Sequence, residues 1–480
     1  MDTRDRLSQT DTAEAFLGEP EQPLCLLVLF CPCSACISAQ IPLVPGELMA
    51  GRSEGRADIV HAPGQLLLPD GRVSRTHARF SRVGATLAVQ DLGSKNGTYV
   101  NGARVQTTVL SFQDVVRMGD TLLLCCRPGP PPGGKEASIG GILGVSAAIR
   151  EVRRSIEHLG PTDLSVLITG ESGTGKELVA RALHEASGRT GPFVAVNSSA
   201  IPKDLAESEL FGVRKGAFSG ADRDRIGFIK QADKGTLFLD ELGEMPLQLQ
   251  AKLLRAVEQQ EITPLGTTAP ERIDVRFLAA TNRDVAGAAE RGEFRLDLLH
   301  RLSQSTLCVP PLTQRKQDIL HLWDAFLGAG AGGDRGHDAN AAEALLVHRW
   351  PGNVRELRNV AAEYKAHLPS ASSPRCLPFR IMDGLMRARV GEASPTGPGG
   401  NAVAAGSARS PVGIPAAVSD ARIEKRLQRP SRDALLDSLR RHHGNLAAVA
   451  AEFGRQRPQA YRWLAHYGID PGPYRKEDAP

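Results

Sequence analysis

Apolar residues follow three different rhythms along the chain. Between residues 20 and 127 they form short runs (24–30, 66–68, 78–80, 86–89, 98–100 and 121–125) separated by Gly, Asp, Asn and Pro. Short runs at this spacing predict the strands of a β-sandwich, and no long helical period competes with them. Between residues 138 and 380 apolar strand runs alternate with amphipathic helices, the signature of an α/β domain. Near the end, Leu435, Leu436 and Leu439 line one face of a predicted helix over 432–442. Gly444 breaks it, Asn445 caps a second helix over 446–453, and Gly454 opens a turn before a third from about Pro458 to His466. That is helix-turn-helix spacing.

Two stretches resist any periodic structure. Residues 127–135 are dominated by Pro and Gly, and residues 391–428 are mostly Gly, Ala, Pro and Ser. The fold class is therefore multidomain: an all-β sandwich over 20–127, an α/β domain with a helical lid over 138–380, a flexible linker over 391–428, and an all-α helix-turn-helix over 429–480. The first 20 residues are polar and read as a frayed end.

Composition adds three limits. With 480 residues, 41% hydrophobic and 23% charged, the chain is an ordinary globular protein of about three domains rather than a disordered one. The longest apolar run is too short for a membrane helix and sits too far in for a signal peptide, so no membrane partner and a cytoplasmic location are expected. The eight cysteines show no disulfide framework. Cys31, Cys33 and Cys36 could bind zinc, but no second pair or nearby His completes a ligand set, so reduced thiols are the simpler reading.

The first block carries three polar clusters: Gly51-Arg52, Ser74-Arg75-Thr76-His77, and the stretch from Asp91 to Gly102 containing Lys95-Asn96-Gly97-Thr98. In this order they resemble the forkhead-associated (FHA) domain. The resemblance implies that Arg52, Ser74 and Arg75 hold phosphothreonine, that Lys95 and Asn96 contact phosphate and peptide backbone, and that Gly51, His77 and Gly97 are structural. An arginine fork, a hydroxyl and loop donors suit a phosphate. The alternative is a sandwich that only docks on its neighbours.

In the second block an apolar strand at 166–169 runs into Gly170-Glu171-Ser172-Gly173-Thr174-Gly175-Lys176-Glu177 and then a helix. This is the context a P-loop requires, with glycines turning N–H groups toward phosphates and Lys176 supplying charge. Glu177 stands where a magnesium-binding Ser or Thr is usual. A buried strand ends in Asp240 and Glu241, suited to hold Mg2+ and to polarise the attacking water, and another ends in Thr281 and Asn282.

The strings GESGTGKE at 170–177, ELFGxxKGAFSGA at 209–221, GTLFLDE at 235–241 and WPGNVREL at 350–357 resemble sigma-54-dependent transcriptional activators, bacterial enhancer-binding proteins of the AAA+ class. The resemblance implies ATP binding by residues 170–177, catalysis by Lys176, Asp240 and Glu241, restraint of that glutamate by Asn197, and γ-phosphate sensing by Thr281 and Asn282. It further implies arginine fingers at Arg295 and Arg301, a nucleotide-sensing Arg355 on the lid, and a homo-oligomeric ring, usually a hexamer. The alternative for Arg295 and Arg301 is a surface ion pair with Asp297, which leaves the completeness of the rest of the site unexplained. Gly216, Ala217, Phe218, Ser219, Gly220 and Ala221 match the loop that grips sigma-54. The family has Thr at the Ser219 position, so a methyl worth about 1 kcal/mol of packing is lost.

From residue 371 onward there are 17 Lys and Arg against 10 Asp and Glu, a localised positive charge that suits nucleic acid. The segment 444–469 resembles the Fis-type DNA-binding domain. It implies that Arg457, Gln459, Ala460 and Arg462 face double-stranded enhancer DNA, with Tyr461 and Leu464 in the core; a dimerisation bundle is the alternative. Together these readings point to an ATP-hydrolysing activator of sigma-54 RNA polymerase holoenzyme, with a phosphothreonine protein or Ser/Thr kinase as input. The competing reading is a DNA-bound regulator that works by occupancy and phosphopeptide recruitment. A weaker one is an AAA+ remodeller of another target.

Overall fold

The computed structural model describes residues 24–54, 58–83, 86–129, 139–217, 223–328, 338–366 and 430–453, with Ala460, Trp463, Leu464, Tyr467 and Ile469. The chain divides into two compact units, Met1–Lys365 and Ala366–Pro480. The expected linker at 391–428 and residues 130–135 of the first Pro/Gly stretch lie outside the described residues.

The first unit opens with two six-stranded sheets. One runs Gln40–Pro42, Cys25–Phe30, Thr121–Cys126, Val115–Met118, Thr98–Val100, Ala103–Val105; the other runs Thr107–Leu110, Thr86–Asp91, Ala78–Val83, Gly46–Arg52, Gln65–Leu68, Val60–Ala62. Alternation decides which side chains enter: Leu87 and Val89 are buried while Ala88 and Gln90 are half-exposed. Leu26, Val28, Leu66, Phe80, Val116 and Leu123 from both sheets share one core. Each such side chain contributes about 1.5–3 kcal/mol on burial.

Three strands break the alternation, and Cys25–Phe30 is buried at all but its last position. Val115–Met118 and Thr121–Cys126 are buried at every position. The outer face of a sandwich is usually wet. Here the helix Ala339–Val347 from the following domain packs on both strands. Cys25 and Cys126 are cross-strand partners with sulfurs 3.5 Å apart, and Cys31, Cys36 and Cys125 are buried as well. Among the described residues no group of His, Cys, Asp and Glu is arranged to hold a metal ion, and no helix is long and apolar enough to cross a membrane.

The α/β domain follows as a five-stranded parallel sheet ordered Phe193–Asn197, Thr236–Asp240, Arg276–Thr281, Val166–Thr169, Ser305–Cys308. Separate apolar clusters cover its two faces, which is why its strands read as near-continuous apolar runs. The helices Gln317–Leu327, Ala339–Val347 and Asn353–Ala366 form the lid. They are knitted by Trp323 against Tyr364, with centroids 5.4 Å apart, and by the Trp350 indole N–H donating to Leu345 O.

In the second unit the first two expected helices form as Arg432–Arg441 and Leu446–Glu452. The Ser431 hydroxyl caps the first, and Gly444 turns between them at φ 70°. Leu435, Leu439, Leu446, Val449, Trp463 and Leu464 close a small core. One expectation is corrected here. Ala460 is 0% exposed inside that core and does not face DNA. A methyl has no polar group to desolvate and fits where helices approach closely, so burial claims it. Arg457, Gln459, Tyr461 and Arg462 lie outside the described residues.

His77 generates a pH prediction. Its buried ring accepts the Ser74 N–H at Nδ1 (3.0 Å), so Nε2 carries the proton toward Gly97 O at 3.3 Å. Burial pushes its pKa below the ordinary 6.5. The unfolded chain then binds a proton that the folded ring refuses, so this stability is complete above the unfolded value and falls as pH drops through it. The protection of segment 66–80, taken as exchange relative to the intrinsic rate at each pH and measured on the full chain, is expected to fall between about pH 7 and pH 5.5, and His77→Gln is expected to flatten that dependence.

Candidate functional site

The carboxyl ends of the parallel strands converge on one crevice, the usual ligand position in such sheets. The strand Val166–Thr169 delivers the loop 170–175, and the helix Lys176–Ser187 follows with Gly175 as its N-cap. Gly175 has no side chain to cap with, so the first-turn N–H groups remain directed at an anion. Gly170, Gly173 and Gly175 hold φ values of 148°, 77° and 106°, which L side chains rarely adopt.

The Lys176 ammonium donates to Gly170 O (2.8 Å) and Glu171 O (3.0 Å), and Thr174 Oγ1 donates to Glu171 O. Burial pushes Lys176 below the ordinary ammonium value, while Asp240 opposes that shift. Asp240 in turn is pushed up by burial, against a hydrogen bond from the Glu241 N–H and the charge of Lys176. An anionic substrate and a divalent cation both relieve this arrangement, because each brings the opposite charge into a desolvated site. Glu241 sits at the strand end in a left-handed conformation, φ 54°. Glu177 is exposed and pairs with Arg181 one turn along the same helix, while the half-buried Asp240 is a carboxylate that could hold magnesium.

Asn197 lies directly beside Asp240 in parallel register. Its amide oxygen accepts from Ser199 N and Oγ, so in this conformation it braces a turn rather than a carboxylate. The buried Thr281 caps the next turn through Arg283 N, and the exposed Asn282 follows it.

The lid closes onto the loop at short range. A Cβ on Gly173 would lie 2.2 Å from Gly352 O, so only glycine lets the two backbones meet. Arg355 donates from its backbone to Gly173 O and from its guanidinium to Ser172 Oγ at 3.4 Å. Two residues not singled out from the sequence take part. Asn353 donates to Glu171 Oε2 and Ser172 O while its own oxygen accepts from Leu312 N, and the buried Arg315 donates to Thr174 O. Asn353 was visible inside the string WPGNVREL; Arg315 carried no local signal.

Arg295 and Arg301 are exposed on and just before the helix Leu296–Leu302. Arg295 forms a two-bond pair with Asp297, and Arg301 pairs with Glu258. Of the loop 216–221 only Gly216 and Ala217 are described. Arg214, paired with Asp224 and Glu271, holds the base of that loop. Phe218, Ser219, Gly220 and Ala221 lie outside the described residues.

The FHA candidates come together at one end of the sandwich. The Ser74 carbonyl accepts from Arg52 N and the Ser74 hydroxyl accepts from Lys95 N at 3.0 Å, so three segments meet at one residue. Gly51 is required there, because a Cβ would lie 1.9 Å from Arg75 O. Arg75 is exposed and pairs with Glu54 at 2.8 Å. Asn96 does not project freely: its amide donates to Arg72 O at 2.6 Å. Beneath them Asp91 accepts from Ser94 and Thr98, fixing the loop that carries Lys95.

Three family profiles match the chain: an FHA domain over residues 49–119, a sigma-54 interaction domain over 142–308, and an AAA+ ATPase lid domain over 313–371. The nitric oxide reductase transcription regulator NorR1 of Cupriavidus necator is 39% identical over 355 residues, covering 72% of this chain and 67% of that protein. The C4-dicarboxylate transport regulator DctD of Rhizobium meliloti is 38% identical over 348 residues, covering 71% and 67%. The transcriptional regulator NtrC of Rhizobium meliloti is 50% identical over 232 residues, 48% of each chain. Among solved structures, NtrX of Brucella abortus in complex with ATP aligns with a TM-score of 0.44 at 30% identity, over 70% of each chain. The chain spans about half the length or less of several curated relatives it matches. The fold is an FHA sandwich followed by an AAA+ domain with its lid, and the chain belongs to the sigma-54-dependent transcriptional regulators.

Proposed function

We propose that this chain is an ATP-hydrolysing transcriptional activator that remodels sigma-54 RNA polymerase holoenzyme from an upstream DNA site and takes its input through phosphothreonine. One observation carries the ATPase reading: the P-loop, Asp240 with Glu241, and the lid residues Asn353 and Arg355 converge on one crevice.

In this reading the first-turn N–H groups and Lys176 neutralise the β- and γ-phosphates. Asp240 is the residue that would hold magnesium, which would supply further charge neutralisation for the phosphates. Glu241 orients the attacking water and accepts its proton as the γ-phosphate leaves ADP. Arg295 and Arg301 act on the site of a neighbouring copy in a ring, probing charge that develops in its transition state. Their present partners, Asp297 and Glu258, are exposed carboxylates that water screens well, so exchange for a phosphate is easy.

Loop 216–221 is assigned to sigma-54, with Phe218 as its apolar tip. The basic tail and its helical core support DNA binding by Arg457, Gln459 and Arg462. Arg52, Ser74, Arg75, Lys95 and Asn96 are assigned to a phosphothreonine on a partner or its kinase. The protein works in the cytoplasm, and a hexameric ring is the expected assembly.

Three outcomes are expected. The full chain should capture sigma-54 with a transition-state analogue of ATP hydrolysis, and Phe218→Ala should abolish capture while leaving ATP turnover intact. Capture that survives this change, or turnover without capture by the native chain, would redirect the reading to another target. Glu241→Gln should lower kcat at least about 100-fold while ATP binding, followed by fluorescence titration, persists. Arg52→Ala should weaken phosphothreonine-peptide binding at least about tenfold by calorimetry, since a lost charge-assisted bond is worth more than about 1.4 kcal/mol.

A further inference from the structure

The FHA sandwich sits across the two bodies that an AAA+ machine must move. On the lid side, Arg117 reaches Glu343 at 2.7 Å and Asn340 at 3.1 Å, both on the helix Ala339–Val347. Arg117 and Glu343 are only 6% and 7% exposed, so this ion pair is withdrawn from water. A second contact links Gln113 Oε1 to the backbone N–H of Lys316, at the start of the helix Gln317–Leu327. On the core side, Gln40 holds Gly129 at the sandwich exit through two hydrogen bonds, and Gly129 lies so near the helix Ala147–Leu159 that an added Cβ would sit 3.4 Å from the Arg150 guanidinium. A cavity of about 110 Å³, lined by Leu27, Leu29, Cys126, Arg150 and Leu320, remains where the three bodies meet. A fully sealed interface would leave no such gap, which suits reversible docking.

We infer that the FHA module is a removable clamp: docked through Arg117–Glu343 and Gln113–Lys316 it holds the lid in one position relative to the nucleotide core and restrains turnover, and phosphothreonine binding loosens it. The lid carries Asn353, Arg355 and Arg315, which touch the P-loop directly. Nucleotide entry and release need that lid to move. A module attached to both lid and core resists the motion until one attachment breaks.

The phosphothreonine loops reach the clamp through continuous contacts. Asn96 donates to Arg72 O; Arg72 pairs with Asp120 at 3.2 Å; Asp120 also pairs with Arg117 at 3.3 Å. Asp70 ties the same segments by accepting from Arg72 N, Asp120 N and Thr121 Oγ1. A phosphopeptide that draws Asn96 away from Arg72 shifts the partners of the buried arginine. The loosening step rests on the phosphothreonine reading above; the clamp itself does not.

The test uses the full chain carrying Glu343→Lys, which places a like charge against Arg117 from the lid side and leaves the sandwich core untouched. ATP turnover is expected to rise at least about fivefold, the lower range of coupling between sites. Hydrogen exchange should quicken over 339–347 and stay unchanged over 78–89. Adding Arg117→Glu should restore both the protection and the low rate. Loosened exchange without a rise in turnover overturns the clamp, as does unchanged exchange or a double variant that fails to recover. A library of phosphothreonine peptides is the probe for release: it should raise native turnover and leave Glu343→Lys unaffected. If the library binds but does not raise turnover, the release step is wrong. If it does not bind, the phosphothreonine reading fails with that step, and the clamp is judged by Glu343→Lys alone.

Discussion

Three residues of one short stretch at the base of the lid, Arg315, Lys316 and Asp318, join the three bodies of the first unit. Asp318, fully buried, accepts from Val145 N, Ser146 N and Ser146 Oγ, and so ties the lid to the first core helix. Two residues earlier, Lys316 meets the FHA sandwich through Gln113, and Arg315 meets the P-loop through Thr174. A buried carboxylate is tolerated only when its oxygens are saturated with donors, and burial pushes Asp318 upward in spite of them. This short stretch therefore sets where the lid sits over the nucleotide loop and where the sandwich sits over the lid.

The two candidate sites share one device. Each places glycines where two backbones must approach closer than a Cβ allows, at Gly51 against Arg75 and at Gly173 against Gly352. At the nucleotide loop the positive-φ glycines and Lys176 suit a multiply charged oxyanion better than a single carboxylate. Between the sites lies a sheet face that a free-standing sandwich would expose. The burial of Val115–Met118 and Thr121–Cys126 on both faces makes the sandwich part of the ATPase body rather than an appended bead. The buried Arg117 in the middle of that face gives the docking a register that apolar packing alone does not.

Much of this was legible from the chain. The P-loop, the Asp240–Glu241 pair and the FHA clusters are local strings whose spacing follows from their chemistry, and alternation or its loss marked the strands. The run of apolar positions at 121–126 carried a further signal: a strand apolar on both faces must be covered on both. The Pro/Gly stretch after it hid that message by suggesting separation. Ala460 was misplaced because spacing alone does not say which face of a short helix turns inward.

The parts follow from local strings of residues: a phosphate-binding loop, a carboxylate pair, a polar loop cluster and a helical tail. These depend on residue type at short range, where backbone geometry leaves few choices. How the parts are joined emerges only on folding. Arg117 with Glu343, Gln113 with Lys316, and Arg315 with Thr174 lie far apart along the chain. No local pattern announces such pairs, because their value comes from desolvation and from two surfaces meeting, and both exist only once the chain has folded.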